Sequence, residues 1–277
     1  MAQKTRIKLL SFNIQVGIQT RTYRDYVTAS WQHILPNQQR LENLQRISHL
    51  LKNYDFVALQ EVDAGSLRSS FINQVEYLAV HSAFPYWYHQ CNRNFGRFAK
   101  HSNGFLSKLA VREVINHKLP GLIPGRGAIE ATLGSEQEPL TFVIAHLAIS
   151  RRARTQQLEY LARQLCNKQH LILMGDLNCS EEELLKCFDS YGLHLQPNEG
   201  EHQGTYPSWQ PTTRFDHILV TKDIEIHQHA VVNHSISDHL PIELEVSLPE
   251  SILRVSTDTR RYHPVRITND SARQGMY

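Results

Sequence analysis

Leu171-Ile172-Leu173-Met174-Gly175-Asp176-Leu177-Asn178 is the stretch on which the reading of the fold turns. Four apolar residues in a row, bounded by polar ones, read as a short strand buried on both faces. A carboxylate and an amide then stand where the strand ends. The same order recurs along the chain. Ile7–Phe12 runs into Asn13, Phe56–Leu59 runs into Gln60 and Glu61, and Leu140–Ala145 runs into His146. Two runs reverse it: Asp216 precedes His217–Val220, and Asp238-His239 precedes Ile242–Val246. A purely parallel sheet would send these last two groups to the opposite edge, so convergence on one site requires mixed or antiparallel sheets.

Helical patterns lie between the strands. Gln39–Lys52 puts Leu41, Leu44, Ile47, Leu50 and Leu51 on one stripe, and Arg154–Cys166 does the same with Leu158, Leu161, Ala162 and Leu165. Ser180 before Glu181, Glu182 and Glu183 reads as an N-cap with an acidic first turn. Interleaved strands and helices predict one α/β domain over residues 1–248. From Pro249 the pattern dissolves into Arg260, Arg261, His263, Pro264, Arg266 and Asn269, so residues 249–277 read as a poorly packed tail.

Composition narrows the class. With 277 residues, 41% hydrophobic and 20% charged, the chain is globular rather than disordered or collagenous. A net charge of +2 does not mark a dedicated nucleic-acid binder, yet leaves room for a local basic groove. The 4 cysteines form no C-x-x-C pair, which gives no sign of a zinc knuckle or redox motif and fits a reduced compartment. No apolar run reaches the roughly 18 residues of a membrane span, and Asn13 interrupts the N-terminal apolar stretch before a signal core forms. A cytoplasmic monomer is the expectation.

The residues gathered at the strand ends carry the chemistry. Asn13, Glu61, Asp176, Asn178 and Asp238 are oxygen donors without cysteine, which suits a hard cation such as Mg²⁺ or Mn²⁺. His146 and His239 beside such an ion suit proton transfer, and Asp216 is free to hold one imidazole in a fixed tautomer. No nucleophilic Ser or Cys motif accompanies them, so direct attack of water on phosphorus is the reaction indicated.

In order, Ser11-Phe12-Asn13-Ile14-Gln15, Leu59-Gln60-Glu61-Val62, Ala145-His146-Leu147, Gly175-Asp176-Leu177-Asn178, Arg214-Phe215-Asp216-His217 and Ser237-Asp238-His239-Leu240-Pro241 resemble the motifs of the endonuclease/exonuclease/phosphatase superfamily. The resemblance spans Lys4 to Leu248. It implies a four-layered α/β sandwich, two central mixed β-sheets flanked by helices, with the site at one end. It further implies Glu61 as the main metal carboxylate, assisted by Asn13 and Asp238. His239 is then the base, oriented by Asp216, while Asp176 and Asn178 position the water and the scissile phosphate. His146 would donate to a phosphate oxygen. Ser102-Asn103-Gly104-Phe105-Leu106-Ser107-Lys108 resembles the family strand that enters the site, with Asn103 as a phosphate contact.

Several features have two readings. Arg93, Arg97 and Lys100, in what reads as a loop from Asn92 to Lys100, are either a clamp for an anionic substrate or a solvated face; so are Arg151, Arg152 and Arg154. Pro124-Gly125-Arg126-Gly127 is either a phosphate cradle or a tight turn. Phe84-Pro85-Tyr86-Trp87-Tyr88 reads as an aromatic core strand rather than a base-stacking platform. The function indicated is a Mg²⁺- or Mn²⁺-dependent phosphodiesterase acting on nucleic acid or a nucleotide derivative. The alternatives are a phosphodiesterase for phospholipid headgroups and a silent binding module.

Overall fold

Neighbouring residues along the central strands face opposite layers, and both faces are apolar. The computed structural model describes residues 4–18, 22, 38–121, 125–197, 203–250 and 266–269. In β1 (Lys4–Asn13), Leu9 enters the core between the two sheets while Leu10 faces outward under the helices. In β2 (Phe56–Asp63), Phe56 and Val57 divide in the same way. Burial on both faces is why these strands read as continuous apolar runs instead of alternating ones.

The remaining strands are β3 (Tyr86–Asn94), β4 (Lys100–Ser107), β5 (Val111–Lys118), β6 (Gly127–Gly134), β7 (Pro139–His146), β8 (His170–Asp176) and β9 (Leu195–Gln196). They are followed by β10 (Asp216–Thr221), β11 (Glu225–Val231), β12 (Ile242–Pro249) and β13 (Arg266–Asn269). One sheet has the order β11-β12-β1-β2-β4-β3 and the other β13-β5-β6-β7-β8-β10-β9. β1 with β2, β7 with β8, and β13 with β5 are parallel pairs, and the rest are antiparallel.

Between the sheets Phe56 stacks on Phe142 and on Phe105, with ring centroids 3.9 and 5.4 Å apart. Helices α1 (Gln38–Leu51) and α2 (Gln74–His81) cover the six-stranded sheet through Leu44, Ile47, Leu51, Val75 and Leu78. Helices α3 (Arg151–Leu165) and α4 (Glu181–Asp189) cover the other through Leu158, Leu161, Leu165, Leu184 and Phe188. Ser180 accepts from the Glu183 amide, as its N-cap reading requires. The result is a four-layered α/β sandwich with two central mixed sheets.

Two segments differ from the sequence expectation. Residues 92–94 belong to β3 and residue 100 to β4, so the loop is only 95–99, closed by the Phe95 amide on the Ala99 carbonyl. β3 is an edge strand whose aromatic start, Tyr86–Tyr88, packs on the core as read, while its polar, partly exposed second half carried no apolar signature. Within the tail, Arg266–Asn269 pairs with β5 along Glu113–Asn116. Arg260, Arg261, His263 and Pro264 lie outside the described residues, as does Pro124.

Candidate active site

Strand register places the polar groups in rows. In the seven-stranded sheet, Gly127 pairs with His146, His146 with Asp176, and Asp176 with Asp216, so four adjacent strands present one residue each. In the other sheet Asn13 pairs with Gln60, one residue before Glu61. The β2–β4 register shifts between Leu59 and Val62, and Glu61 takes φ +53° inside that irregularity. A bulge of this kind re-aims a side chain, and a non-glycine residue held in the left-handed region stores strain. Glu61 is left half-buried on the wall of a cleft.

The loop after Glu61 is tied down by Asp63. Its carboxylate accepts from Ser66 Oγ, Ser69 Oγ, Arg68 Nε and the Lys100 backbone amide, and the side chains of Asp63, Ser66, Arg68 and Ser69 are all buried. Burial opposes the charge of Asp63, but these donors and the Arg68 guanidinium hold its pKa below the ordinary value. The anchor fixes the chain on the far side of the bulge that carries Glu61.

At the centre, Asp176 Oδ2 accepts from Asn13 Nδ2 at 3.1 Å and lies 3.3 Å from His146 Nε2 and 3.8 Å from His239 Nε2. Asp216 Oδ2 sits 2.8 Å from His239 Nδ1 and accepts from Thr205 Oγ1 at 2.6 Å. Asp176, Asp216 and His239 are all buried, and their ligand-capable atoms lie within 4.8 Å of one another. Burial raises the pKa of Asp216, offset in part by His239. Burial would also raise Asp176, yet the two imidazoles and the Asn13 amide bring it well below the ordinary carboxylate range. His239 moves upward: desolvation disfavours its charge, and Asp216 and Asp176 more than reverse that.

The other expected residues fall around this centre. Asp238, beside His239, is buried; its Oδ1 accepts from Ser237 Oγ and its carbonyl from the Ser208 amide. Asn178 has φ +52° and donates to the Leu147 carbonyl at 3.0 Å, joining the ends of β7 and β8. Asn103, buried on β4, donates to the Gly127 carbonyl at 2.9 Å and lines the cleft. The six cations separate. Arg93 and Arg152 line the cleft, whereas Arg97, Lys100, Arg151 and Arg154 do not. Arg154 is engaged with Glu183 and the Ile149 carbonyl.

Three contributors carried no assigned role in the sequence reading. Thr205 holds Asp216, and its carbonyl also accepts the Leu240 amide just after His239. The Tyr206 ring lies 4.9 Å from that of His239. Arg126 Nη1 contacts His146 Nε2 at 2.5 Å. Only Arg126 had a signal, its two flanking glycines. The cleft itself is about 990 Å³ and is lined by Glu61, Asn103 and His146 together with Arg93, Arg126 and Arg152.

A family model, the Endonuclease/Exonuclease/phosphatase family, matches residues 10–239. The chain belongs to that family. Members of the endonuclease/exonuclease/phosphatase family are metal-dependent hydrolases of phosphoester bonds, and this chain is one of these enzymes. No curated protein matches it. Among solved structures, an endonuclease/exonuclease/phosphatase from Beutenbergia cavernae DSM 12333 is 15% identical with TM-score 0.67, over 88% of this chain and 72% of that one. The Bacteroides thetaiotaomicron VPI-5482 mannosyl-6-phosphatase is 16% identical with TM-score 0.61, over 87% and 99%. D. rerio TDP2 complexed with single strand DNA product is 17% identical with TM-score 0.58, over 87% and 99%. At these identities the structures share the fold of the family.

Proposed function

We propose that the protein hydrolyses a phosphodiester by direct attack of water, in nucleic acid or a nucleotide derivative, with His239 as the base. The observation that carries this reading is the His239–Asp216 contact of 2.8 Å with Asp176 beside it. Asp216 accepts a hydrogen bond from Nδ1–H, which fixes the tautomer in which Nε2, turned toward Asp176, is the proton-accepting nitrogen. A water held there by Asp176 and Asn178 gives its proton to Nε2 as its oxygen bonds to phosphorus, and the ester P–O bond opposite breaks, its oxygen leaving as an alcohol that takes a proton from solvent. The carboxylates that raise the proton affinity of His239 also hold the imidazolium it becomes. His146 donates to a non-bridging oxygen as charge grows there.

The donor set fits a hard divalent cation. Every candidate ligand among Glu61, Asn13 and Asp238 offers oxygen, and Asp176 Oδ1 and Asp216 Oδ1 are buried with no hydrogen-bond donor. Glu61, with Asn13 and Asp238, would hold Mg²⁺ or Mn²⁺, which when bound polarises the phosphoryl oxygen. The D. rerio TDP2 complex with single strand DNA product supports a nucleic-acid substrate.

One observation fits the phospholipid-headgroup alternative as well. Phe95 and Phe98 are exposed on the β3–β4 hairpin beside Arg93 and Arg97, a pattern that suits an anionic lipid surface as well as stacked bases. Among the described residues no helix is long and apolar enough to cross a membrane. A silent module has no physical need for the buried Asp176, Asp216 and His239 together.

Metal-stripped protein, with and without Mg²⁺ or Mn²⁺, should be assayed on single-stranded DNA, RNA, choline phospholipid vesicles and inositol phosphates. Metal-dependent cleavage of a nucleic acid is expected, and Glu61→Gln should stay folded, bind the ion poorly and lose the activity. Cleavage of phospholipid alone would move the assignment to the alternative, and full activity without any divalent ion would remove the metal.

A further inference from the structure

Arg126 is delivered to His146 between two glycines, the first in a backbone conformation that side chains strain and the second packed closely under two side chains of β3. Gly125 has φ +116°, and a Cβ there would lie 3.1 Å from Arg93 Cδ. At Gly127 a Cβ would lie 2.2 Å from Asn92 Oδ1 and 2.5 Å from Gln90 Oε1. The Gly127 carbonyl is taken by Asn103, and its strand partner is His146. Residues 125–127 are therefore pressed between β3 and the reacting centre, with Arg126 half-buried on the cleft wall.

The contact it makes there is a contest. His146 Nε2 faces the Arg126 guanidinium on one side and Asp176 Oδ2, at 3.3 Å, on the other. A guanidinium only donates and a carboxylate only accepts, so one ring nitrogen cannot satisfy both. An anionic oxygen set between Arg126 and His146 would accept from both and end the contest. Arg93 adds a second charge next door, since its stem packs on Gly125 and its guanidinium lies 4.3 Å from the Phe95 ring. Among the described residues neither Arg93 nor Arg126 forms an ion pair, and Glu61 is the one carboxylate of the described cleft lining.

We propose that Arg126 and His146 together bind a phosphate oxygen of the substrate, while Arg93 receives a second anionic group. The site then favours substrates with two closely spaced phosphates, such as a chain end carrying a terminal phosphate, over an isolated phosphodiester. This rests on the phosphoesterase reading for its meaning, but its test does not require turnover.

Calorimetry on metal-stripped protein, with orthophosphate and pyrophosphate as probes, separates the two arginines. Wild type should bind pyrophosphate more tightly than orthophosphate. Arg126→Gln should weaken both by roughly ten- to a hundredfold, the scale of a lost charge-assisted hydrogen bond, and Arg126→Lys should recover part of it. Arg93→Gln should weaken pyrophosphate alone and erase the difference. With Mg²⁺, a dinucleotide bearing a terminal phosphate should show a lower KM than one without it, and Arg93→Gln should remove that advantage. Neither side chain is buried, so circular dichroism and the urea midpoint should stay unchanged. Wild-type binding of both anions by Arg126→Gln, or an undiminished pyrophosphate preference in Arg93→Gln, would overturn the clamp. Both anion patterns as expected, with no phosphodiester cleaved, would support the clamp and sink the phosphodiesterase reading instead.

Discussion

Gly175→Ala tests how far the site depends on one close approach between strands. Gly175 has φ +147°, and a Cβ there would stand 1.9 Å from the Ala145 carbonyl oxygen and 2.9 Å from its carbon. Both atoms are backbone, so only separation of β7 from β8 relieves the clash. An alanine forced into that conformation costs about 1–3 kcal/mol. Prising apart packed strands costs a further 1–3 kcal/mol or so, the scale of overpacking. The sum, about 2–6 kcal/mol, is a large share of the roughly 5–15 kcal/mol that stabilises a typical domain. The residues on either side, His146 on β7 and Asp176 on β8, are paired in register and 3.3 Å apart at Nε2 and Oδ2. Urea unfolding followed by circular dichroism should show a much lower midpoint, and the residual folded protein should turn over poorly. Gly192→Ala is the control: φ there is +79° with nothing within 4 Å, so only the conformational cost, about 1 kcal/mol, applies. Equal midpoints for the two variants, with wild-type turnover from Gly175→Ala, would refute the argument.

Proton transfer and pH give two further tests. His239→Ala should lose on the order of 10²–10⁴ in kcat, and Asp216→Asn should lose rate while circular dichroism remains native; wild-type rates from both would make the histidine structural. His217 is wholly buried, its Nε2 donates to the Cys179 carbonyl, and burial pushes its pKa down from 6.5 to about 4. The unfolded chain therefore binds a proton between those values while the folded one does not, so stability is full above about pH 6.5 and falls toward pH 4. About 2.5 units at 1.36 kcal/mol each sets the loss near 3 kcal/mol. Urea midpoints from pH 7 to pH 4 should decline, and His217→Gln should flatten part of the decline; an unchanged slope in that variant would contradict the assignment.

What the sequence made legible follows from where each residue lies. Asn13, His146 and Asp176 terminate strands buried on both faces and Glu61 follows the apolar half of β2, so an apolar run marks each of them. Asp216 and Asp238-His239 start such runs, which made the mixed sheets readable as well. The Asp63 anchor was not legible, because Ser66, Ser69 and Arg68 are ordinary loop residues until a turn brings them around one carboxylate. Thr205 was hidden for a related reason: its partner Asp216 lies 11 residues away across a loop with no periodicity. The cations were equally opaque. Arg93 and Arg97 sit in the same short segment, yet the strand ending at Asn94 puts one on the cleft and leaves the other on the hairpin.

The arrangement also argues that the reacting centre is retained for chemistry. Asp176 and Asp216 are 2% and 0% exposed, and each keeps one oxygen without a hydrogen-bond donor. A buried charged group left short of partners costs several kcal/mol, and hydrophobic residues of similar volume usually serve stability as well or better. Two such carboxylates on adjacent strands, facing one imidazole, are therefore a burden that the apolar layers on both sides must offset. A cation near those orphaned oxygens, and a phosphate between His146 and Arg126, would supply the missing partners at the same end of the sandwich. The strain at Glu61 and the glycines at 125, 127 and 175 fit the same account, since each costs conformational freedom to set one polar group within reach of the others.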